Sequence, residues 1–171
     1  MKVQIRGGVF ETNSSSMHSL VVSTKGGKYT EDEIYEGIWM QRDGTWRIWK
    51  GEIEFGRSPF ALLYRFAEKV LYALASLDGQ DIKLSDVNEV VSKYAPKVKT
   101  MELPVVSEES VGGWVDDRIL SHALKELGIS LEDFLTDRRY MVVVDGDEYC
   151  VWDSLKQSGM INTSMIKEEV Q

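Results

Sequence analysis

The stretch RRYMVVVDGDEYCVW, residues 138–152, constrains the fold more than any other part of the chain. Apolar runs flank Asp145-Gly146, a pair suited to the positive-φ positions of a tight turn, so the spacing predicts a β-hairpin. A second hairpin is predicted in YEGIWMQRDGTWRIWKGEIEF, residues 35–55, where Asp43-Gly44 turns the chain. Trp46, Ile48 or Trp49 would decorate the faces of its second strand. Val3–Ile5 and Gly8–Thr12 alternate like short strands, with Gly7-Gly8 as a bend, and HSLVVS (18–23) reads as another strand.

Helices are expected between these strands. Ser58 and Pro59 suit the N-cap and first position of a helix through Leu77, with Gly79 ending it. Phe60, Leu63, Phe66, Val70, Leu71, Leu74 and Leu77 recur along it at helical spacing. A second helix is expected from Ser85 to just before Pro96, which disfavours helical geometry in the residue before it. A third is expected near Val115–Leu127, closed by Gly128. Ser130 should cap a short helical turn, LEDFL. KGGKYTEDE reads as a turn and an acidic segment, and VKTMELPVV as an irregular strand. The expected class is α+β: one domain over 1–171, a mostly antiparallel sheet with two β-hairpins packed against about three helices, and a tail over 153–171.

The chain has 171 residues with 43% apolar content, enough for a core of its own. Twenty Lys and Arg stand against 28 Asp and Glu, a formal charge of −8. That balance argues against nucleic-acid binding by the chain alone and favours a basic partner surface. Cys150 is the single cysteine and lies in a strand-like run, which excludes an internal disulfide and a thiolate metal cluster. The opening MKVQIRGG lacks the apolar core and cleavage site of a signal peptide, and no apolar run is long enough to span a bilayer. An intracellular protein is expected.

Two sets of side chains are candidates for a site. In VFETNSSSMHSLVV (9–22), Glu11, Thr12, Asn13, Ser14, Ser15, Ser16, His18 and Ser19 crowd one strand connection. Such groups either bond their own backbone in a turn or hold phosphate or carboxylate oxygens. In the catalytic reading, that of an enzyme processing a nucleic acid or nucleotide at the 11–19 segment, Asn13, Ser14, Ser15 and Ser16 position phosphate, His18 transfers a proton and Glu11 orients it. His18 is expected to face that turn. The second set is a protein contact: Glu31, Asp32, Glu33 and Glu36 beside Trp39 as an aromatic anchor, with Asp145, Asp147 and Glu148 at the second hairpin turn. No metal-ligating spacing, Walker A or dinucleotide motif occurs, so no metal or cofactor is expected.

RGGVFETNSSSMHSLVVS (6–23) resembles the opening of a family of uncharacterised proteins from bacteria and their phages. SPFALLYRFAEKVLYALASL, GWVDDRILSH and FLTDRRYMVVVDGDEYC are similar to that family's central helix, later helix start and closing hairpin. Members carry a histidine where this chain has Asp117. The resemblance therefore implies that a site pairing that histidine with the counterpart of His18 is incomplete here. Size, acidity and phage-like character also resemble type II anti-CRISPR proteins, inhibitors of RNA-guided DNA nucleases. That second resemblance implies a type II CRISPR effector nuclease, or its guide-RNA complex, as the partner, and the cytoplasm of a bacterial host as the compartment.

Overall fold

The middle of the main sheet is the run that the second Asp-Gly pair ends. The computed structural model describes residues 17–23, 26–53, 55, 61–77, 81–104 and 119–145. In chain order these form β1 (Met17–Val22), α1 (Glu31–Tyr35), β2 (Thr45–Arg47), β3 (Ala61–Leu63) and α2 (Phe66–Ala75). There follow α3 (Leu84–Tyr94), β4 (Thr100–Glu102), α4 (Ile119–Leu127), α5 (Leu131–Thr136) and β5 (Tyr140–Asp145). The fold is a small α+β domain.

β5 lies between β1 and β3 and is antiparallel to both. Val142 sits opposite Leu20 on one side and Leu63 on the other. Met141, Val142, Val143 and Val144 are all buried, so this strand is covered on both faces, as its unbroken apolar run requires. Val142 and Val144 join the main core with Leu20 and Leu63, and α2 supplies Phe66, Val70, Ala73 and Leu74 to the same cluster. α2 packs against α1, α3 and α5, so little of it reaches solvent. Each fully buried Val, Leu or Phe side chain contributes roughly 1.5–3 kcal/mol by leaving water.

Three expectations need correction. Helix α2 begins at Phe66, and Ala61–Leu63 is a strand. The cause is a capping acid: the Glu68 carboxylate accepts the N–H groups of both Tyr64 and Arg65 at 3.0 Å, fixing the helix start there. The apolar residues upstream gain ladder partners on β5 instead. Ser58 and Pro59 lie outside the described residues. Residues 31–35, read as a turn and acidic segment running into a hairpin, form α1, because Glu33 accepts the Thr30 N–H at 2.8 Å and closes the first turn.

The first hairpin reduces to one antiparallel bridge, Met40 opposite Trp46, around the loop Arg42–Gly44. The main partner of β2 is β4, 55 residues further along the chain and parallel to it, with Thr45 opposite Thr100 and Arg47 opposite Glu102. Alternation shows that a segment is a strand and leaves its partner open. The turn chemistry itself holds: Gly44 has φ +90° and Gln41 accepts its N–H at 3.0 Å. The return strand of the second hairpin lies outside the described residues. α3, the Gly128 terminator at φ +64° and the Ser130 cap, whose hydroxyl accepts the Asp133 N–H at 3.0 Å, follow the sequence pattern.

Candidate functional site

His18 enters the core from β1. It is 6% exposed, and its Nδ1 lies 3.1 Å from the Tyr72 hydroxyl on α2. Phe55 meets the other side of Tyr72 edge-on, with ring centroids 5.2 Å apart. Burial pushes the His18 pKa down from its ordinary value to about 4 and pushes that of the Tyr72 phenol up. At neutral pH the imidazole is therefore uncharged, and a base this weak is a poor proton acceptor. Among the described residues its Nε2 has no hydrogen-bond partner. His18 turns toward Tyr72 in the core. Glu11, Asn13 and Ser15 lie outside the described residues.

Lys69 is the buried charge that sequence reasoning missed. Its side chain is fully buried, and Nζ donates to the carbonyl oxygens of Phe134 at 2.6 Å, Asp137 at 2.9 Å and Tyr140 at 3.1 Å. An ammonium has three N–H donors, and all three are used. The rings of Tyr29 and Phe134 lie 4.9 and 5.4 Å from Nζ and add cation–π attraction. Burial pushes the pKa of Lys69 down to about 7, while the nearby Asp137 carboxylate raises it and Lys28 lowers it further. The group clips α2 to the corner between α5 and β5. The signal was present in FAEKVLYALA: Lys69 stands three residues after Phe66 and four before Ala73, on the face that packs inward.

The acids expected to meet a partner are held first by this chain. Glu31 pairs with Lys97 at 3.0 Å, Glu33 with Arg138 at 2.7 Å and Glu36 with Arg65 at 2.8 Å. The Thr30 backbone N–H and hydroxyl, with Arg138, hold the Glu33 carboxyl below the usual carboxylate range. Asp32 is exposed at the start of α1. Exposed pairs of this kind contribute little to stability but neutralise local charge. The backbone of Asp145 ends β5, whereas Asp147 and Glu148 lie outside the described residues.

The tryptophans divide sharply. Trp46 is fully buried, while Trp39 is 78% and Trp49 62% exposed. Alternation along β2 explains the second contrast: Trp46 and Ile48 face the core, and Arg47 and Trp49 face out, with the Arg47 guanidinium 5.8 Å from the Trp49 ring. Elsewhere, a surface depression of about 320 Å³ is lined by Asp81, Ser121, Leu124, Lys125 and Ser130, where Lys125 and Asp81 pair at 2.6 Å. Among the described residues no cluster of His, Cys, Asp and Glu is arranged to hold a metal ion, and no helix is long and apolar enough to cross a membrane.

No protein-family model, curated protein or solved structure matches the chain.

Proposed function

We propose that the protein is a stoichiometric inhibitor of bacterial CRISPR defence, acting in the host cytoplasm by binding a type II RNA-guided nuclease or its guide-RNA complex. The observation that carries the binding role is Trp39: an indole left 78% exposed, shortly after an acidic helix, is suited to anchor a partner. Supporting it, His18 is buried and weakly basic, and the Lys69 ammonium is consumed by backbone carbonyls. The choice of partner comes from the resemblance in size, acidity and phage-like character. Such nucleases hold nucleic acid in positively charged channels, which suit a protein of net charge −8.

The test is a titration of nuclease cleavage with this protein. Cleavage should fall in proportion to added protein and end near equimolar ratio, and Trp39→Ala should weaken inhibition while the thermal midpoint stays unchanged. Cleavage that persists at a large excess of protein would overturn the proposal.

A further inference from the structure

We propose that the outer face of the β2–β4 sheet, built on Trp39, Arg47 and Trp49 with Arg42 and Lys99 at its rim, binds single-stranded nucleic acid. This deepens the inhibitor reading above, on which it rests for a biological strand: the guide RNA or displaced DNA strand that such a nuclease carries. It departs from the expectation, based on net charge alone, that the chain does not touch nucleic acid by itself.

The backbone register assembles this face. The bridge between Met40 and Trp46 brings Trp39 and Arg47, the next residues outward on the two segments, near one another. Trp46 is buried while Trp39, Arg47 and Trp49 are exposed, and the Arg47 guanidinium lies 5.8 Å from the Trp49 ring. Lys99 is brought to the Arg42–Gly44 loop by its own N–H, which donates to the Gly44 carbonyl at 2.8 Å. Two exposed indoles thus flank the small sheet near these cations.

The chemistry fits bases and phosphates together. Base stacking on an exposed aromatic contributes roughly 1–3 kcal/mol per base and tolerates any sequence, because each base has a π-face. Arg42 and Lys99 are exposed; Lys99 also attracts the Asp43 carboxylate, so Arg42 offers the more open charge to phosphate. The acids of this region are engaged locally. Glu102 bridges Arg47 at 2.8 Å, Asp43 accepts the Thr45 N–H at 2.9 Å, Glu52 accepts the Trp49 N–H at 2.7 Å, and Glu31 pairs with Lys97 at 3.0 Å. A duplex keeps its bases stacked on one another, so a single strand is the form these rings can take up.

The test is fluorescence titration of the whole chain with oligouridylate, oligothymidylate and a duplex of the same length at low salt. Single strands should quench tryptophan emission to saturation and the duplex should not. Trp39→Ala and Trp49→Ala should each weaken binding about tenfold, in line with one lost stack. Arg42→Gln with Lys99→Gln should weaken binding and flatten its salt dependence. All four side chains are exposed, and unchanged thermal midpoints will show that the variants fold. Absence of quenching by either single strand, duplex binding of equal strength, or tryptophan variants that bind like wild type would each overturn the inference. Nuclease inhibition without oligonucleotide binding overturns this inference and leaves the inhibitor reading standing. Oligonucleotide binding without inhibition does the reverse.

Discussion

Lys69 Nζ lies 2.6 Å from the carbonyl oxygen of Phe134, one of the last carbonyls of α5 and so one that the helix itself leaves unpaired. The same ammonium also takes the Asp137 and Tyr140 carbonyls, and one side chain thereby satisfies three buried acceptors. Lys69→Met keeps most of the packing and orphans the Phe134 and Tyr140 oxygens, while the Asp137 oxygen keeps the Tyr140 N–H at 3.2 Å. At roughly 1–3 kcal/mol for each unsatisfied group, partly relieved by relaxation, we expect a loss of about 2 kcal/mol or more. Urea unfolding of the variant against wild type measures it.

The titration of Lys69 has a definite sign. Its pKa is about 7 in the fold and 10.5 as its ordinary value, so above pH 7 the unfolded chain binds a proton that the native one has released. Stability from this group therefore rises with pH between about 7 and 10.5, with a slope of at most about 1.4 kcal/mol per pH unit. Below pH 7 it adds no pH dependence. Unfolding free energies of wild type and Lys69→Met at pH 7 and pH 9 should diverge accordingly, and parallel curves would show that the proton is retained.

His18 works in the acid range. Its folded pKa of about 4 lies below the ordinary 6.5, so the stability that comes with the neutral ring is present above pH 6.5 and is lost as pH falls toward 4. The full loss is on the order of 3 kcal/mol. His18→Phe removes the titrating group while filling the space, and should flatten the thermal midpoint against pH over this window. Tyr72→Phe should destabilise at neutral pH by about 1 kcal/mol or more, because it removes the partner of the buried Nδ1.

What the sequence disclosed follows from how local each cause is. The Ser130 cap, the Gly128 terminator, helix α3 and the positive φ of Gly44 each depend on a few adjacent residues, and each was readable. The parallel pairing of β2 with β4 depends on a partner distant in the chain, and alternation carries no address. The strand Ala61–Leu63 shares an apolar run with α2, and only the long-range ladder to β5 separates the two. At the site, Trp39 is exposed, whereas Glu31, Glu33 and Glu36, expected as electrostatic contacts to a partner, are paired within the chain. Their partners Lys97, Arg138 and Arg65 come from other segments, so the pairing was invisible along the sequence.

The tryptophans give an internal contrast. Trp46→Ala removes a fully buried side chain and should cost about 3–5 kcal/mol, enough to unfold a small domain of ordinary stability. Trp39→Ala and Trp49→Ala remove exposed rings and should stay within about 0.5 kcal/mol of wild type. Thermal midpoints of the three variants measured side by side check this.

Gly44 offers the sharpest backbone test. Its φ of +90° is a conformation that L side chains rarely adopt. A Cβ built there would also stand 2.9 Å from Lys99 Cγ and 3.0 Å from the Lys97 carbonyl oxygen. The lysine chain can swing away, but the carbonyl is backbone and can move only by shifting the segment that leads into β4. Gly44→Ala therefore combines torsional strain with a steric push on the β2–β4 pairing, and we expect a loss of about 1–3 kcal/mol. Gly51→Ala is the control, since a Cβ there meets nothing within 4 Å and needs no positive φ. It should leave stability within about 0.5 kcal/mol of wild type. Because the strained loop carries Arg42 and touches Lys99, Gly44→Ala should also weaken oligonucleotide binding, while Gly51→Ala leaves it unchanged. Equal stability of the two variants would show that the loop yields freely, and the rim of the proposed face would then be adaptable where the present geometry holds it fixed.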